Sequence, residues 1–215
     1  PRHAGGSILE APLALLGLVL AQALAVMSPG PSFVVVMRSA LAHSSREALW
    51  VTLGLGLGTL LWAAAALFGL SLLFAAFPWL YLGLRITGAA FLLWMAVGLW
   101  RHAGAPLPAA ATEAAARRRP LEALRTGLLV QLSNPKVAVF FGSIFVTFLP
   151  PEPTLAFRCA VLASCVLVEL SWYGLVSVAF THGAVRARYA RARHIVDRVT
   201  GTVLAGLGAR LVFAP

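Results

Sequence analysis

A short polar segment, Ser133-Asn134-Pro135-Lys136, interrupts a long apolar stretch of this 215-residue chain. Asn134 and Lys136 are its only asparagine and its only lysine, although arginine is common. Pro135 cannot donate a backbone hydrogen bond, so a helix must kink or end there, and in lipid the freed backbone groups need partners. An ammonium, an amide and free N–H groups together could bind a carboxylate. The segment therefore predicts a binding site within a membrane; the alternative is a structural kink whose lysine extends to the membrane surface.

A second break, in the first apolar stretch, offers similar chemistry. It consists of Ser28, Pro29, Gly30 and Pro31. We expect a helix over 9–27, a break at 28–31 and a continuation over 32–37, because proline cannot continue the helical hydrogen bonds. The two half-helices would present free N–H groups to a carboxylate and free carbonyls to an ammonium.

Two charged residues in other apolar stretches are candidate partners for these breaks. Glu169 lies near the middle of the fifth stretch, where a carboxylate must face the protein interior. It could carry a coupled proton, contact a substrate amine, or form a structural pair with Lys136 or Arg85. Arg85 opens the third stretch, and is either part of the site or a side chain that extends to the interface.

The composition is that of a membrane protein. Hydrophobic residues make up 60% of the chain and charged residues 11%, and the mean hydropathy is +0.87. Soluble domains, by comparison, have about 45–50% apolar and about 25% charged residues. The net charge of +10 could suit a nucleic acid. However, the arginines cluster between apolar stretches, so we interpret them as topology signals and expect no nucleic-acid partner. The fold class is therefore all-α and polytopic. Six transmembrane helices are predicted, over about 9–37, 48–74, 79–100, 123–149, 155–181 and 195–213.

Arginine placement also predicts the orientation in the membrane. The arginines concentrate in the loops that follow the first, third and fifth helices. These loops are cytoplasmic by the positive-inside rule, so both termini are predicted outside, with membrane lipid surrounding the helices.

The apolar stretches form two similar halves. Arg85-Ile-Thr-Gly88 opens the third stretch and Arg198-Val-Thr-Gly201 opens the sixth, and each half has a proline break in its first stretch. Three helices per half would invert the second copy, with broken helices 1 and 4 placing a transporter site at the repeat interface. The predicted layout is a single transmembrane domain, 1–215, with a first repeat at 9–100, a cytoplasmic linker at 101–122 and a second repeat at 123–213.

Several of these motifs occur together in one known family. Pro29-Gly30-Pro31 at the first break, a glycine-rich second stretch and Asn134-Pro135-Lys136 at the second break form a specific combination. With it, the chain resembles the LysE/RhtB family of amino-acid exporters over nearly its whole length. The resemblance implies a secondary exporter of amino acids or close derivatives, in a bacterial inner membrane and without a bound cofactor. Members often have Asp where this chain has Glu169, and His where it has Thr59.

The functional hypothesis is a secondary transporter, not an enzyme, that exports amino acids and is driven by the proton motive force. A neutral substrate is favoured over a basic one, because Glu169 is the only central acid. No metal site is expected, and the oligomeric state is open, a homodimer included. The alternatives are a membrane thiol–disulfide carrier and an intramembrane lipid enzyme. Against the first, Cys159 and Cys165 lie on one stretch rather than on facing helices; against the second, no acid–base cluster is visible.

Overall fold

The computed structural model describes residues 7–76, 78–104, 119–149 and 153–213, and in these ranges its regular structure is entirely helical. The predicted all-α fold class is confirmed for this part of the chain. The helices are α1 (Ser7–Met27), α2 (Pro31–Ala42), α3 (Ser45–Ala76), α4 (Pro78–Arg101), α5 (Pro120–Leu132), α6 (Pro135–Phe148), α7 (Leu155–Ala179) and α8 (Gly183–Phe213).

Among the described residues, two helices are long and apolar enough to cross a membrane, namely Ser45–Gly69 of α3 and Leu155–Ala179. Two bent pairs also qualify if each is one span: α1 with α2, bent by 55°, and α5 with α6, bent by 61°. The α4 segment Ile86–Arg101 is a shorter apolar helix. The chain is therefore an all-helical membrane protein with two to four candidate spans, and the six-span arrangement stays a prediction.

The helices expose large apolar side chains on their outer faces. Exposed examples, each more than half accessible, are Leu13, Ile86, Trp94, Leu129 and Leu167. Apolar area of this extent on a protein surface is typical of contact with lipid. Polar side chains are buried inside instead, and several of them hydrogen-bond across the bundle.

Both bends occur at the breaks predicted from proline. Pro31 takes the first position of α2, after Gly30 in an extended conformation. Pro135 takes the first position of α6, and Asn134 caps that helix because its side-chain oxygen accepts from the backbone N–H of Lys136 at 3.1 Å. Proline is suited to these positions, since its missing N–H would be unpaired there anyway.

Several helix boundaries differ from the sequence prediction: for example, α2 ends at Ala42 rather than 37, and α3 begins at Ser45 rather than 48. The sixth stretch was expected from 195, but α8 already begins at Gly183, because the alanine- and arginine-rich segment before it also favours a helix. The fourth stretch was expected from 123, but α5 begins at Pro120, where Glu122 accepts a hydrogen bond from the backbone N–H of Arg119 at 3.1 Å. Of the predicted linker 101–122, residues 105–118 lie outside the described part of the chain.

The helices α3 and α5 approach one another backbone to backbone. A Cβ on Gly54 would collide with the carbonyl of Leu124, and a Cβ on Gly127 would collide with the carbonyl of Val51. Small residues permit such close packing in membranes. Because α3 belongs to the first predicted repeat and α5 to the second, this contact joins the two halves of the chain.

Two apolar clusters pack on either side of the polar interior. One is centred on Phe140, Phe141 and Phe145 of α6. The other contains Phe33 of α2 and Phe180 just after α7, whose ring centroids are 5.5 Å apart. The polar cavity described below borders both clusters, so apolar packing holds its walls in place.

Candidate functional site

A cavity lies where the two helix breaks meet. It offers about 40 Å³ to the centres of water molecules, which is room for roughly three of them. Both breaks and the middle of α7 contribute to its walls, together with Phe140 and Phe141. Its polar lining consists of Gln22, Ser28, Ser32, Gln131, Asn134, Lys136, Glu169 and Tyr173.

The ammonium of Lys136 binds the carboxyl end of α1. Its Nζ donates to the carbonyl of Ala25 at 2.9 Å and to that of Ser28 at 3.3 Å. The last carbonyls of a helix have no partner within the helix and carry partial negative charge, so a cation is stabilising there. Among the described side chains, no ion pair or hydrogen bond joins Lys136 to Glu169. The direct pair between these two residues, one of the alternatives that the sequence left open, is therefore absent among the described side chains.

The other carbonyls at the end of α1 also have donors. These come from α7 and α8: Tyr173 donates to Val26 at 3.5 Å, Tyr189 to Met27 at 2.8 Å and Thr200 to Leu24 at 3.2 Å. The sequence interpretation left these carbonyls free for a substrate ammonium. Since side chains already occupy them, an ammonium must find its acceptors elsewhere in the cavity.

A chain of hydrogen bonds leads from the second break to the buried carboxylate of Glu169. The amide of Asn134 donates to the hydroxyl of Ser32 at 3.1 Å, and that hydroxyl donates to Oε1 of Gln131 at 2.6 Å. Nε2 of Gln131 then donates to Oε1 of Glu169 at 2.8 Å and to the hydroxyl of Thr59 at 2.7 Å. Glu169 is only 3% exposed, so these bonds compensate part of the cost of burying its carboxyl group.

A glycine makes room for the central member of this chain. A Cβ on Gly58 would lie 2.6 Å from Cβ of Gln131, a distance that real side chains do not tolerate. The absent side chain at Gly58 therefore lets Gln131 reach across to α7. This gives the glycine-rich run of α3 a role in positioning the site, in addition to helix packing.

The structure brings together most of the residues singled out from the sequence. The cavity is lined by Ser28, Gly30, Asn134, Lys136 and Glu169. Pro29 lies in the break between α1 and α2, while Pro31 and Pro135 begin the two half-helices. Arg85 lies on α4, and its side chain is outside the part of the structure that is described.

Sequence reasoning missed five polar residues of the network. They are Gln22, Ser32, Thr59, Gln131 and Tyr173. One signal was available for the glutamines, since they are the only two in the chain and both lie in apolar stretches. Serine and threonine carry no such signal, because they occur throughout the apolar stretches of this chain.

The remaining chemistry of the described residues gives no sign of a metal centre. No group of three or more His, Cys, Asp or Glu side chains in these ranges could hold an ion. Cys159 is exposed and Cys165 is buried, both as free thiols on α7. What the cavity presents is one cation, one buried carboxyl group and several neutral hydrogen-bonding groups, a set suited to a small polar solute.

Similar proteins are membrane translocators. The model of the LysE type translocator family matches residues 23–214. A threonine efflux protein of Salmonella typhimurium is 34% identical over 194 residues, which cover 88% of this chain and 93% of that protein. A threonine efflux protein of Escherichia coli strain K12 is 31% identical over 203 residues, covering 93% of this chain and 97% of that protein. No solved structure gives a significant match.

Proposed function

This chain belongs to the LysE type translocator family, and on that premise we propose that it exports a small neutral amino acid across the bacterial inner membrane. Family membership confirms the LysE/RhtB resemblance, and it makes the chain a membrane transporter rather than an enzyme. Family membership therefore favours the exporter function over the two alternatives, the thiol–disulfide carrier and the lipid enzyme. The observation that carries the proposal is the cavity between the two breaks, where Lys136 and Glu169 are not bonded to each other.

Threonine is the first candidate substrate, because two of the similar proteins are named threonine efflux proteins. The cavity supports a small substrate, since it has room for only about three water molecules before any side chain moves. It also supports a neutral one, because the ammonium of Lys136 would repel a second cation on the substrate side chain.

The substrate carboxylate is assigned to Lys136 and to the start of α2. An ammonium has three donors, and Lys136 uses two of them on α1, so one remains. The helix α2 begins without a side-chain cap, and a Cβ on Gly30 would lie 3.8 Å from Nζ of Lys136. Free N–H groups at a helix start favour a carboxylate, and the adjacent cation adds to this attraction.

The substrate amine is assigned to the side of the cavity that holds Glu169. The same carboxyl group is the candidate carrier of a coupled proton, since a buried acid that faces the site can exchange its proton as the cavity opens to either side. Export would then be driven by the proton motive force. Ser28, Pro29, Pro31, Asn134 and Pro135 shape the two half-helices around the substrate.

The architecture proposed for transport is six spans in two inverted repeats, 9–100 and 123–213, within one domain and with both termini outside. Some helix contacts support the repeat: α2 packs on α7 as α6 packs on α3, and α1 packs on α6 as α5 packs on α2. The packing of α4 on α6, however, has no comparable contact between α8 and α2 among the described residues. Alternating access would come from motion of one repeat against the other around the cavity.

The test is export by the purified protein in proteoliposomes with an imposed pH gradient. A panel of radiolabelled amino acids, threonine included, identifies the substrate. Glu169→Gln keeps the shape of the side chain, and Lys136→Gln keeps a donor for the α1 carbonyls, so both variants should remain folded. Each should reduce export by at least about a hundredfold, as expected when a charged group that contacts substrate is lost.

Thr52→Val is the matched control. Its hydroxyl pairs with that of Ser177 at 3.0 Å, buried between α3 and α7 and away from the cavity. This variant should export at close to the wild-type rate. Wild-type export by both charge-removal variants, in correctly inserted protein, would contradict the site; no transport of any amino acid by the wild type would contradict the function.

A further inference from the structure

We infer that the side-chain oxygen of Gln22 and the carboxyl group of Glu169 form a pair of acceptors that binds the ammonium group of the substrate. The transporter would therefore select solutes with a free amino group over otherwise identical hydroxy acids. This inference rests on the proposed function and adds to it a selectivity-determining residue, Gln22, which none of the sequence motifs contains.

The orientation of the Gln22 amide follows from its partner. Nε2 donates to the carbonyl of Cys165 at 2.9 Å. A carbonyl can only accept, so the opposite assignment of nitrogen and oxygen would leave two acceptors facing each other. The free end of the amide is therefore Oε1, which accepts and cannot donate.

That free oxygen is buried beside the cavity and has no partner among the described residues. Gln22 is 2% exposed and lines the cavity, and its Oε1 makes no hydrogen bond there. Buried acceptors in native proteins are normally satisfied, so an orphan at a cavity wall indicates a ligand that donates. The α-ammonium of an amino acid is such a donor.

The contact to Cys165 places the Gln22 amide, whose nitrogen also hydrogen-bonds the carboxyl group, beside Glu169. In a helix, the carbonyl of residue 165 accepts the N–H of residue 169, and both belong to the continuous helix α7. Side chains lean toward the helix start, so the carboxyl group of Glu169 extends back to the level at which Gln22 meets α7. Two acceptors thus converge on one side of the cavity.

Another part of the cavity wall presents donors, which sets the orientation of a bound amino acid. Lys136 lies at the end of α1, bound to the carbonyls of Ala25 and Ser28. The hydroxyl of Ser28, a residue of the cavity lining, is buried and also has no partner in the described ranges. An amino acid can therefore place its ammonium toward Gln22 and Glu169 and its carboxylate toward Lys136.

The experiment compares how strongly two solutes inhibit the same transport reaction. The ratio of the two inhibitions does not depend on how much protein is active. Threonine counterflow in proteoliposomes is inhibited with unlabelled threonine, or with 2,3-dihydroxybutanoate, in which a hydroxyl replaces the amine. The wild type should prefer threonine strongly. Gln22→Leu should reduce this preference by about tenfold or more, because one hydrogen bond to a charged group is lost. Gln22→Glu in its protonated form still donates to the Cys165 carbonyl and keeps a free oxygen, so it should keep the preference.

The possible outcomes separate this inference from the proposed function. A wild type that transports no amino acid refutes the function itself. A wild type that transports threonine, together with an unchanged preference in Gln22→Leu, refutes only the acceptor pair and indicates that water alone satisfies the Gln22 oxygen. If Gln22→Leu does not fold, loss of the threonine preference in Gln22→Glu refutes it instead. Thr52→Val should leave the ratio unchanged.

Discussion

At the scale of single residues, Asn134 combines two tasks that different atoms perform. Its side-chain oxygen caps α6, and its side-chain nitrogen begins the hydrogen-bond chain through Ser32 to Gln131. The cap is local and needs only a short polar side chain. The link needs the reach of an amide. The two tasks can therefore be separated by substitution.

Asn134→Ser should keep the cap and lose the link, because serine caps helices about as well as asparagine but is shorter. Asn134→Ala should lose both, and should be less stable than Asn134→Ser by about 1 kcal/mol. Thermal unfolding of the purified protein in detergent measures the difference. Transport should fall in both variants, since both interrupt the chain to Glu169.

The N-cap of α7 is the matched control for this pair. Thr154 accepts from the backbone N–H of Phe157 at 3.2 Å and does not line the cavity. Thr154→Ser and Thr154→Ala should differ in stability by a similar amount, with transport preserved in the serine variant. Equal transport by Asn134→Ser and the wild type would show that the link is not needed.

At the scale of elements, the end of α1 is held by three other helices rather than by its own sequence. Lys136 of α6, Tyr173 of α7, and Tyr189 and Thr200 of α8 each donate to its last carbonyls. The α1 break is therefore satisfied only in the assembled bundle. Because Tyr189 belongs to α8, a movement that separates α1 from α8 must break the hydrogen bond between Tyr189 and Met27.

Tyr189→Phe tests this attachment. The ring should keep its stacking on Phe33, with centroids 5.3 Å apart, while the bond of the hydroxyl to Met27 at 2.8 Å is lost. We expect a loss of about 1 kcal/mol in the free energy of unfolding and faster amide hydrogen exchange at the end of α1. Mass spectrometry of peptides that cover residues 24–30 measures the exchange.

Thr202→Val is the control on the same helix, because among the described residues the Thr202 hydroxyl bonds to the carbonyl of Arg198, within α8. It should leave exchange in α1 unchanged. If Tyr189→Phe also leaves exchange unchanged, the tyrosine hydroxyl does not hold the break.

The sequence predicted elements better than it predicted contacts. Proline placed both breaks within a residue, because its missing N–H acts locally wherever the helix is. Hydropathy missed the first turns of α8, since it measures burial in lipid and not helix formation. The partners of Lys136 and the tie of Gln131 to Glu169 could not be predicted, because each joins helices that are distant in sequence. The rarity of asparagine and lysine found part of the site, and the same argument applied to glutamine would have found more.

At the scale of the whole molecule, α3 and α5 join the two predicted repeats backbone to backbone. Gly54→Ala would push a methyl group into the backbone of α5, which no side-chain rotation can relieve. We expect it to lower the free energy of unfolding by about 3 kcal/mol. Thermal unfolding in detergent, followed by size-exclusion chromatography, is the measurement.

Gly69→Ala, on the same helix, is the matched control because no described side chain or backbone atom lies within 4 Å of the added atom. Alanine is also the better helix former, so this variant should be as stable as the wild type or slightly more stable. Similar losses in both variants would mean that the α3–α5 crossing is looser than described.

The crossing of Gly54 and Gly127 also restricts how the halves can move. Two backbones in contact can rotate about their point of contact, but they cannot separate there without losing their packing. If the halves rock during transport, this crossing is the fulcrum. Gln131 lies one turn beyond Gly127, so it is displaced only slightly by such a rotation. The ends of the helices, which are far from the crossing, are displaced much more. The hydrogen bonds around Glu169 can then persist throughout the cycle, while the openings on either side change most.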